Sequence, residues 1–310
     1  MKRLMCVAIF LVLLFFVLSD TAFAEEPMHI VMDMNSVSVQ QGQRRLFCYR
    51  YEDVPFKPYM QQLYSPGGIN VLRDAPHDHL HHHALMFAVA VDGVNFWEEQ
   101  TKPGRQLHKC FDGMRVDRNG DKSKAGFTEH IDWINLRGQE LLLREHRIIE
   151  VKSIEDDKAT LLSWQTSLAV PPGRESMTLA GSHYFGLGMR FLESMDTGGR
   201  FLNAVNRTGE IVRGTERLTR ADWCAYTAEA NGKPVTIAMF GHPENQRHPT
   251  HWFTMTAPFA YLAATLNLHK EPLDVVSDKP LVLRYAVAVW DGRVEKSKIG
   301  RIYRQWVEEQ

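Results

Sequence analysis

The segment His77-Asp-His-Leu-His-His-His83 holds five of the fourteen histidines in the chain. Imidazole titrates near neutral pH and ligates transition metals, so such a run can move protons, bind a cation or do both. The run leads straight into the apolar stretch Ala84 to Val91. Read as extended chain, it places His79, His81 and His83 on one face and His82 on the other. Two imidazoles at i and i+2 can chelate one ion, and zinc or copper takes such nitrogen ligands with the remainder supplied from elsewhere. His242 is the expected third ligand beside His79 and His81, with His130, His183 and His248 as other distant contributors. Asp78 can orient a neighbouring imidazole as a supporting carboxylate. Three other readings stay open: a solvated loop, a metal-free site for a sugar or carboxylate, and adventitious metal binding.

His242 and His248 flank the polar stretch Pro243-Glu-Asn-Gln-Arg247, which follows a strand-like segment from Val235 to Phe240. Loops at strand ends commonly carry sites. The expectation is therefore two histidine motifs facing one cleft, with His79, His81, His82 and His242 transferring protons. Glu145 is the expected carboxylate partner, although it falls mid-strand. Arg190, in Gly186-Leu-Gly-Met-Arg190, sits where small residues allow close backbone approach and can clamp a carboxylate or sugar hydroxyls. Trp97 and Trp252 offer flat apolar walls of the kind sugar rings pack on. His83, His183, Asn245 and His248 complete the expected substrate contacts.

The elements that must position these residues read as strands. Leu46 to Tyr51, Ala84 to Val91, Leu141 to Val151, Thr160 to Ala169, Val235 to Phe240 and Leu281 to Trp290 alternate or run apolar with β-branched and aromatic content. Asp92-Gly93, Asn119-Gly120, Asn231-Gly232 and Asp291-Gly292 are turn signals at short intervals. This spacing predicts a mainly β fold, a large antiparallel β-sandwich with few short helices. The best helix candidate is Lys298 to Glu308, with Ile299, Ile302, Tyr303 and Trp306 on one face.

At the N-terminus Lys2 and Arg3 precede fifteen apolar residues, Leu4 to Leu18, and the small-x-small triplet Ala22-Phe-Ala24. That pattern predicts a secretory signal over residues 1–24, and the apolar run falls short of the roughly 20 residues of a spanning helix. Residues 25–310 show no repeat or linker composition and read as one exported β-sandwich domain without a membrane span. A net charge of −1 with no long basic run argues against nucleic acid as a partner and leaves a small-molecule or carbohydrate ligand. Outside the signal, Cys48, Cys110 and Cys224 form no CxxC pair and read as buried small hydrophobes, with at most one disulfide. No GxSxG, phosphate loop, GxGxxG or HExxH motif occurs, which removes the usual support for serine hydrolase, nucleotide-dependent and zincin chemistry.

Asp78-His-Leu-His-His-His-Ala-Leu with Val91-Asp-Gly-Val-Asn-Phe-Trp97, then His242-Pro-Glu-Asn-Gln-Arg-His-Pro-Thr-His-Trp252, then Pro280-Leu-Val-Leu-Arg-Tyr-Ala and Trp290-Asp-Gly, resemble successive motifs of the PmoA-like bacterial family of unknown function. The usual Arg-Gly of the first motif is replaced here by His83-Ala84. The resemblance covers about residues 45–293. It implies site residues at His79, His81 and His82, and at His242, Asn245, Pro249 and Trp252, on a sandwich like that of the galactose mutarotase superfamily. The family's methane-oxygenase label implies a copper protein, but an integral-membrane enzyme of that kind needs spanning segments that residues 25–310 lack. The leading functional expectation is an exported carbohydrate-active hydrolase, lyase or epimerase, with a divalent zinc or copper ion as its candidate cofactor. A non-catalytic sugar- or metal-binding protein is the alternative, and a carboxylate sharing the histidine cleft would favour the enzyme.

Overall fold

A computed structural model describes residues 26–100, 103–119, 122–154 and 156–310. The proposed signal over residues 1–24 lies outside them. Two antiparallel sheets face one another. The first has ten strands, in the spatial order Met28–Met32, Ser36–Gln41, Arg44–Arg50, Tyr59–Leu63, Leu85–Ala88, Gly186–Arg190, Tyr261–Thr265, His251–Met255, Arg217–Arg220 and Glu210–Ile211. The second has eight, in the order Arg200–Asn203, Trp223–Ala230, Lys233–Gly241, Leu281–Asp291, Ala159–Ala169, Glu140–Ile154, Lys122–Asn135 and Gly104–Asn119. A small four-stranded sheet, formed by Leu273–Val276, Ser176–Ala180, Ala90–Val91 and Val94–Asn95, completes the fold.

Local chemistry accounts for much of this pattern. Asn231 and Gly232 both take positive φ and join Trp223–Ala230 to Lys233–Gly241 in a tight hairpin. Asp92 and Gly93 do the same between the two short strands before Trp97. Both pairs suit the primed two-residue turn that matches strand twist. Along Leu281–Asp291, Val287 and Val289 join the core between the sheets, while Ala286, Ala288 and Trp290 face the other way. A strand buried on both faces reads as a continuous apolar run, as this one does. The outer cover is the helix Lys296–Glu308, which buries Ile299, Ile302, Tyr303 and Trp306 against Trp223, Phe240 and Trp290. Apart from a short 3-10 turn at Glu193–Met195, it is the one helix among the described residues. No helix there is long and apolar enough to cross a membrane.

Two sequence expectations change. Cys48 and Cys224 are buried but Cys110 is exposed, and all three are free thiols. Residues 77–82 are turns and irregular chain, with the strand beginning only at Leu85. His79 N–H donates to Pro76 O and His82 N–H to His79 O, each at 2.9 Å, so two successive i to i+3 turns replace the extended alternation. Ala84 then takes φ 46°, which redirects the chain into the strand.

Candidate functional site

The turns carry His79, His81 and His82 onto the same side. Their ring centroids lie 5.8 Å (His79 to His81), 4.7 Å (His79 to His82) and 4.7 Å (His81 to His82) apart. The expected separation of His82 from the other two is therefore incorrect, because its premise of extended chain fails. The three rings line a cleft of about 580 Å³. Its floor is the face of the ten-stranded sheet that presents Phe253, Met255 and Tyr261, and its walls include Trp97, Glu98, Tyr184, Glu216 and Phe259.

The cleft is strongly aromatic. Trp97 stacks on Phe185 at 5.2 Å with 9° between the planes, and Tyr184 meets it edge-on at 4.8 Å. His82 sits 5.2 Å from the ring centroids of both Trp97 and Tyr261 and 5.5 Å from that of Phe259. Gly188 makes this arrangement possible, since a Cβ there would stand 2.0 Å from Tyr261 Oη. Burial, reinforced by His81 and His79, pushes the His82 pKa down to about 2, so its imidazole is neutral at physiological pH. Burial and then Lys57 depress His81 in the same direction.

Two carboxylates line the same space. Glu98 accepts from Tyr184 Oη at 3.0 Å and from Asn95 Nδ2 at 3.1 Å. Burial pushes the Tyr184 hydroxyl up to about 12, with Glu98 adding to the shift, so the phenol remains a donor. Glu216 is held by Arg213 at 2.6 Å and by His183 Nε2 at 3.2 Å. Three buried polar atoms on this wall have no protein partner: His82 Nδ1, Trp97 Nε1 and Tyr261 Oη.

Behind the wall runs a buried charged network. Lys57 is fully enclosed and donates to Glu99 and, at 3.4 Å, to the Trp97 carbonyl. His83 bridges Asp74 Oδ1 at 3.1 Å and Glu99 Oε1 at 3.2 Å. Asp74 also accepts from Tyr59 Oη at 2.6 Å and Gln61 Nε2 at 3.1 Å. Burial opposes charge on His83, but the two carboxylates outweigh it and raise its pKa. His83 thus faces away from the cleft and helps fix the Trp97 segment, where direct substrate contact was expected.

Several other expected site residues lie elsewhere. Arg190 is 1 % exposed and packs its guanidinium 3.6 Å from the Phe259 centroid, with Asp196 at 3.4 Å. It supports the cleft wall from behind. His183 likewise backs Glu216 and Phe253. Glu145 is fully buried in the core, where Arg147 donates to both its oxygens at 2.8 and 2.9 Å and Trp133 Nε1 and Thr166 Oγ1 add two more bonds. It shares no cleft with the histidines.

The second motif forms the connection from Lys233–Gly241 in the eight-stranded sheet to His251–Met255 in the ten-stranded sheet. Asn245 Nδ2 donates to Arg284 O and Arg284 N–H donates to Asn245 Oδ1, both at 2.7 Å, so the amide imitates a neighbouring strand. His242 N–H donates to Arg284 O at 3.1 Å, and its ring packs on Trp306 of the helix at 5.6 Å. His248 faces Asp222 at 3.4 Å, and the buried Trp252 indole donates to Ala221 O at 2.8 Å. None of these four side chains lines the histidine cleft. The two motifs therefore do not converge, and His79, His81 and His242 do not come together as metal ligands. Among the described residues, no group of three His, Cys, Asp or Glu side chains is placed to hold a metal ion.

Sequence reading missed Glu98, Tyr184, Glu216, Phe259 and Tyr261. The only local signal was adjacency, since Glu98 follows Trp97 and Tyr184 follows His183.

A family model matches residues 36–304, nearly the whole described chain, under the description family of unknown function DUF6807. The chain belongs to that family. This match corrects the assignment to the PmoA-like family drawn from the histidine and tryptophan motifs. No curated protein sequence matches the chain. Among solved structures it is similar to a galactose mutarotase-like protein from Clostridium acetobutylicum, at 8% identity and TM-score 0.43, covering 86% of this chain and 99% of that one. It is also similar to the galactosidase domain of an α-galactosidase–sucrose kinase (9% identity, TM-score 0.42, 86% and 41% covered). A third is an α-galactosidase from Lactobacillus brevis (4% identity, TM-score 0.42, 86% and 39% covered). The chain spans about two fifths of the length of those two galactosidase chains.

Proposed function

We propose that this protein is an exported carbohydrate-active enzyme whose cleft, walled by His79, His81, His82, Trp97 and Tyr261, binds a sugar. The observation that carries the reading is the set of unpartnered buried atoms His82 Nδ1, Trp97 Nε1 and Tyr261 Oη on an aromatic cleft. Each unmade buried hydrogen bond costs about 1–3 kcal/mol, so the wall favours a ligand with several hydroxyls and an apolar ring face. A sugar supplies both.

Glu98 and Glu216 beside neutral imidazoles supply acceptors and donors for moving a proton at a sugar oxygen or ring carbon. Their presence in the cleft favours a hydrolase, lyase or epimerase over a purely binding role. Tyr261, whose phenol burial holds well above its ordinary pKa, would donate to a substrate oxygen. Lys57, His83 and Arg190 position the wall.

The test is a screen of neutral and acidic mono- and oligosaccharides for binding by titration calorimetry and for turnover by product analysis. His82→Ala and Glu216→Gln should each cut the affinity or rate for an active sugar by at least about tenfold, while the melting temperature identifies folded variants. Binding that is unchanged in both folded variants would place the sugar elsewhere.

A further inference from the structure

A second cavity of about 450 Å³ opens on the opposite face of the same strands. Along His251–Met255, Phe253 and Met255 face the histidine cleft, while the alternate residues Trp252 and Thr254 face this one. Arg217 and Thr219, opposite Thr254 and Trp252 in the ladder, point the same way. The far wall comes from the edge of the eight-stranded sheet, through Arg200, Phe201, Leu202 and Cys224. The cavity therefore lies at the mouth of the sandwich, and Thr215 at the sheet edge touches both cavities.

Its charge is one-sided. Arg200, Arg207 and Arg217 line it, and no aspartate or glutamate does. Among the described residues, the Arg200 and Arg207 guanidinia form no ion pair, and Arg217 donates only to the backbone carbonyls of Gly214 and Glu216. Three guanidinia without a carboxylate create a positive field that an oxyanion would neutralise through paired N–H bonds. Between them stand neutral hydrogen-bonding groups, including Thr208, Thr219, Thr254 and Asn206, over the rings of Phe201 and Trp252. Hydroxyls and an amide beside aromatic rings suit the uncharged part of a sugar better than a bare ion.

We infer that this cavity binds an acidic saccharide through a carboxylate or sulfate group held by Arg200, Arg207 and Arg217. The saccharide half of this inference rests on the carbohydrate reading of the histidine cleft, while the anion half rests on the arginines alone. The two sites have different signatures, since removing an imidazole should affect only the first and removing guanidinia only the second.

The experiment titrates the intact chain with glucuronate, glucose 6-sulfate, glucose and inorganic sulfate by calorimetry. At least one acidic sugar should bind about tenfold or more tightly than glucose and than inorganic sulfate, and which one binds identifies the oxyanion. Raising salt from about 0.05 to 0.5 M should weaken it. The exposed pair Arg200→Ala/Arg207→Ala should lower that affinity at least about tenfold without changing the melting temperature. Thr254→Val should lower it with the charges intact, and His82→Ala should leave it unchanged. Glucose binding that Arg200→Ala/Arg207→Ala weakens as much as that of the acidic sugar, equal binding of inorganic sulfate, no binding of either acidic sugar, or an affinity indifferent to loss of both arginines would overturn the inference. So would an affinity that falls only in His82→Ala.

Discussion

Replacing Arg147 by methionine should separate structural from chemical roles for Glu145, the carboxylate that sequence reasoning placed in the catalytic set. Both side chains are fully buried. The guanidinium makes five hydrogen bonds: two to Glu145, one to Tyr49 Oη at 2.8 Å, one to Pro58 O at 3.0 Å and one to Gln106 Oε1 at 3.1 Å. Its removal leaves the Glu145 carboxylate with only Trp133 and Thr166 as donors, in a core closed to solvent. Breaking one side of a buried pair costs about 3–5 kcal/mol, most of it from the stranded partner. At about 2–4 °C per kcal/mol for a chain somewhat smaller than this one, the melting temperature should fall by roughly 6–20 °C. Denaturant unfolding of Arg147→Met, Glu145→Leu and the double variant measures the coupling. The double variant should be more stable than the sum of the single losses by at least about 1 kcal/mol, because no charge is then left alone. In parallel, folded Glu145→Gln should bind a cleft sugar as the parent does. A loss below about 1 kcal/mol in Arg147→Met, or strict additivity, would refute the structural account. Abolished sugar turnover in stable Glu145→Gln would return this residue to the chemistry.

Two further outcomes follow from the cleft. Gly188→Ala should displace Tyr261, whose hydroxyl would lie 2.0 Å from the new Cβ, and weaken sugar binding at least about tenfold with the fold retained; unaltered affinity by calorimetry would separate Tyr261 from recognition. Stability should also decline in mild acid. The folded pKa values of His82 and His251, about 2 and about 4, lie below the unfolded value, so the unfolded chain binds more protons as pH falls beneath about 6.5. Each such histidine contributes a slope of at most about 1.4 kcal/mol per pH unit below that point, and none above it. His83, raised by Asp74 and Glu99, acts in the other window, stabilising fully below about 6.5 and losing its contribution as pH rises through its folded pKa. Urea unfolding of the parent and His82→Gln between pH 6.5 and 4.5 checks this, with a flatter profile in the variant; superimposable slopes would contradict a buried neutral His82.

The sequence alone determined what depends on neighbours in the chain. Apolar alternation located strands such as Ala159–Ala169 and Leu281–Asp291, Asn231-Gly232 marked its hairpin, and the 3.6-residue spacing of Ile299, Ile302, Tyr303 and Trp306 marked the face of the terminal helix. Strand and helix periods are set by backbone geometry within a few residues, so they are written locally. A place for His79, His81 and His82 on one wall of a cleft was also suggested by residue type. The orientation within the histidine run was not, because two i to i+3 turns and the positive φ of Ala84 overrode the alternation of an extended chain. Tertiary structure alone brought Glu216 and Tyr261 into the cleft of His82 across more than a hundred residues of sequence. It likewise turned Glu145 into the core and used the Asn245 amide to imitate a strand beside Arg284. Side-chain type states what a group can do, but its partners are decided by strand order and packing between distant segments, which no local period encodes.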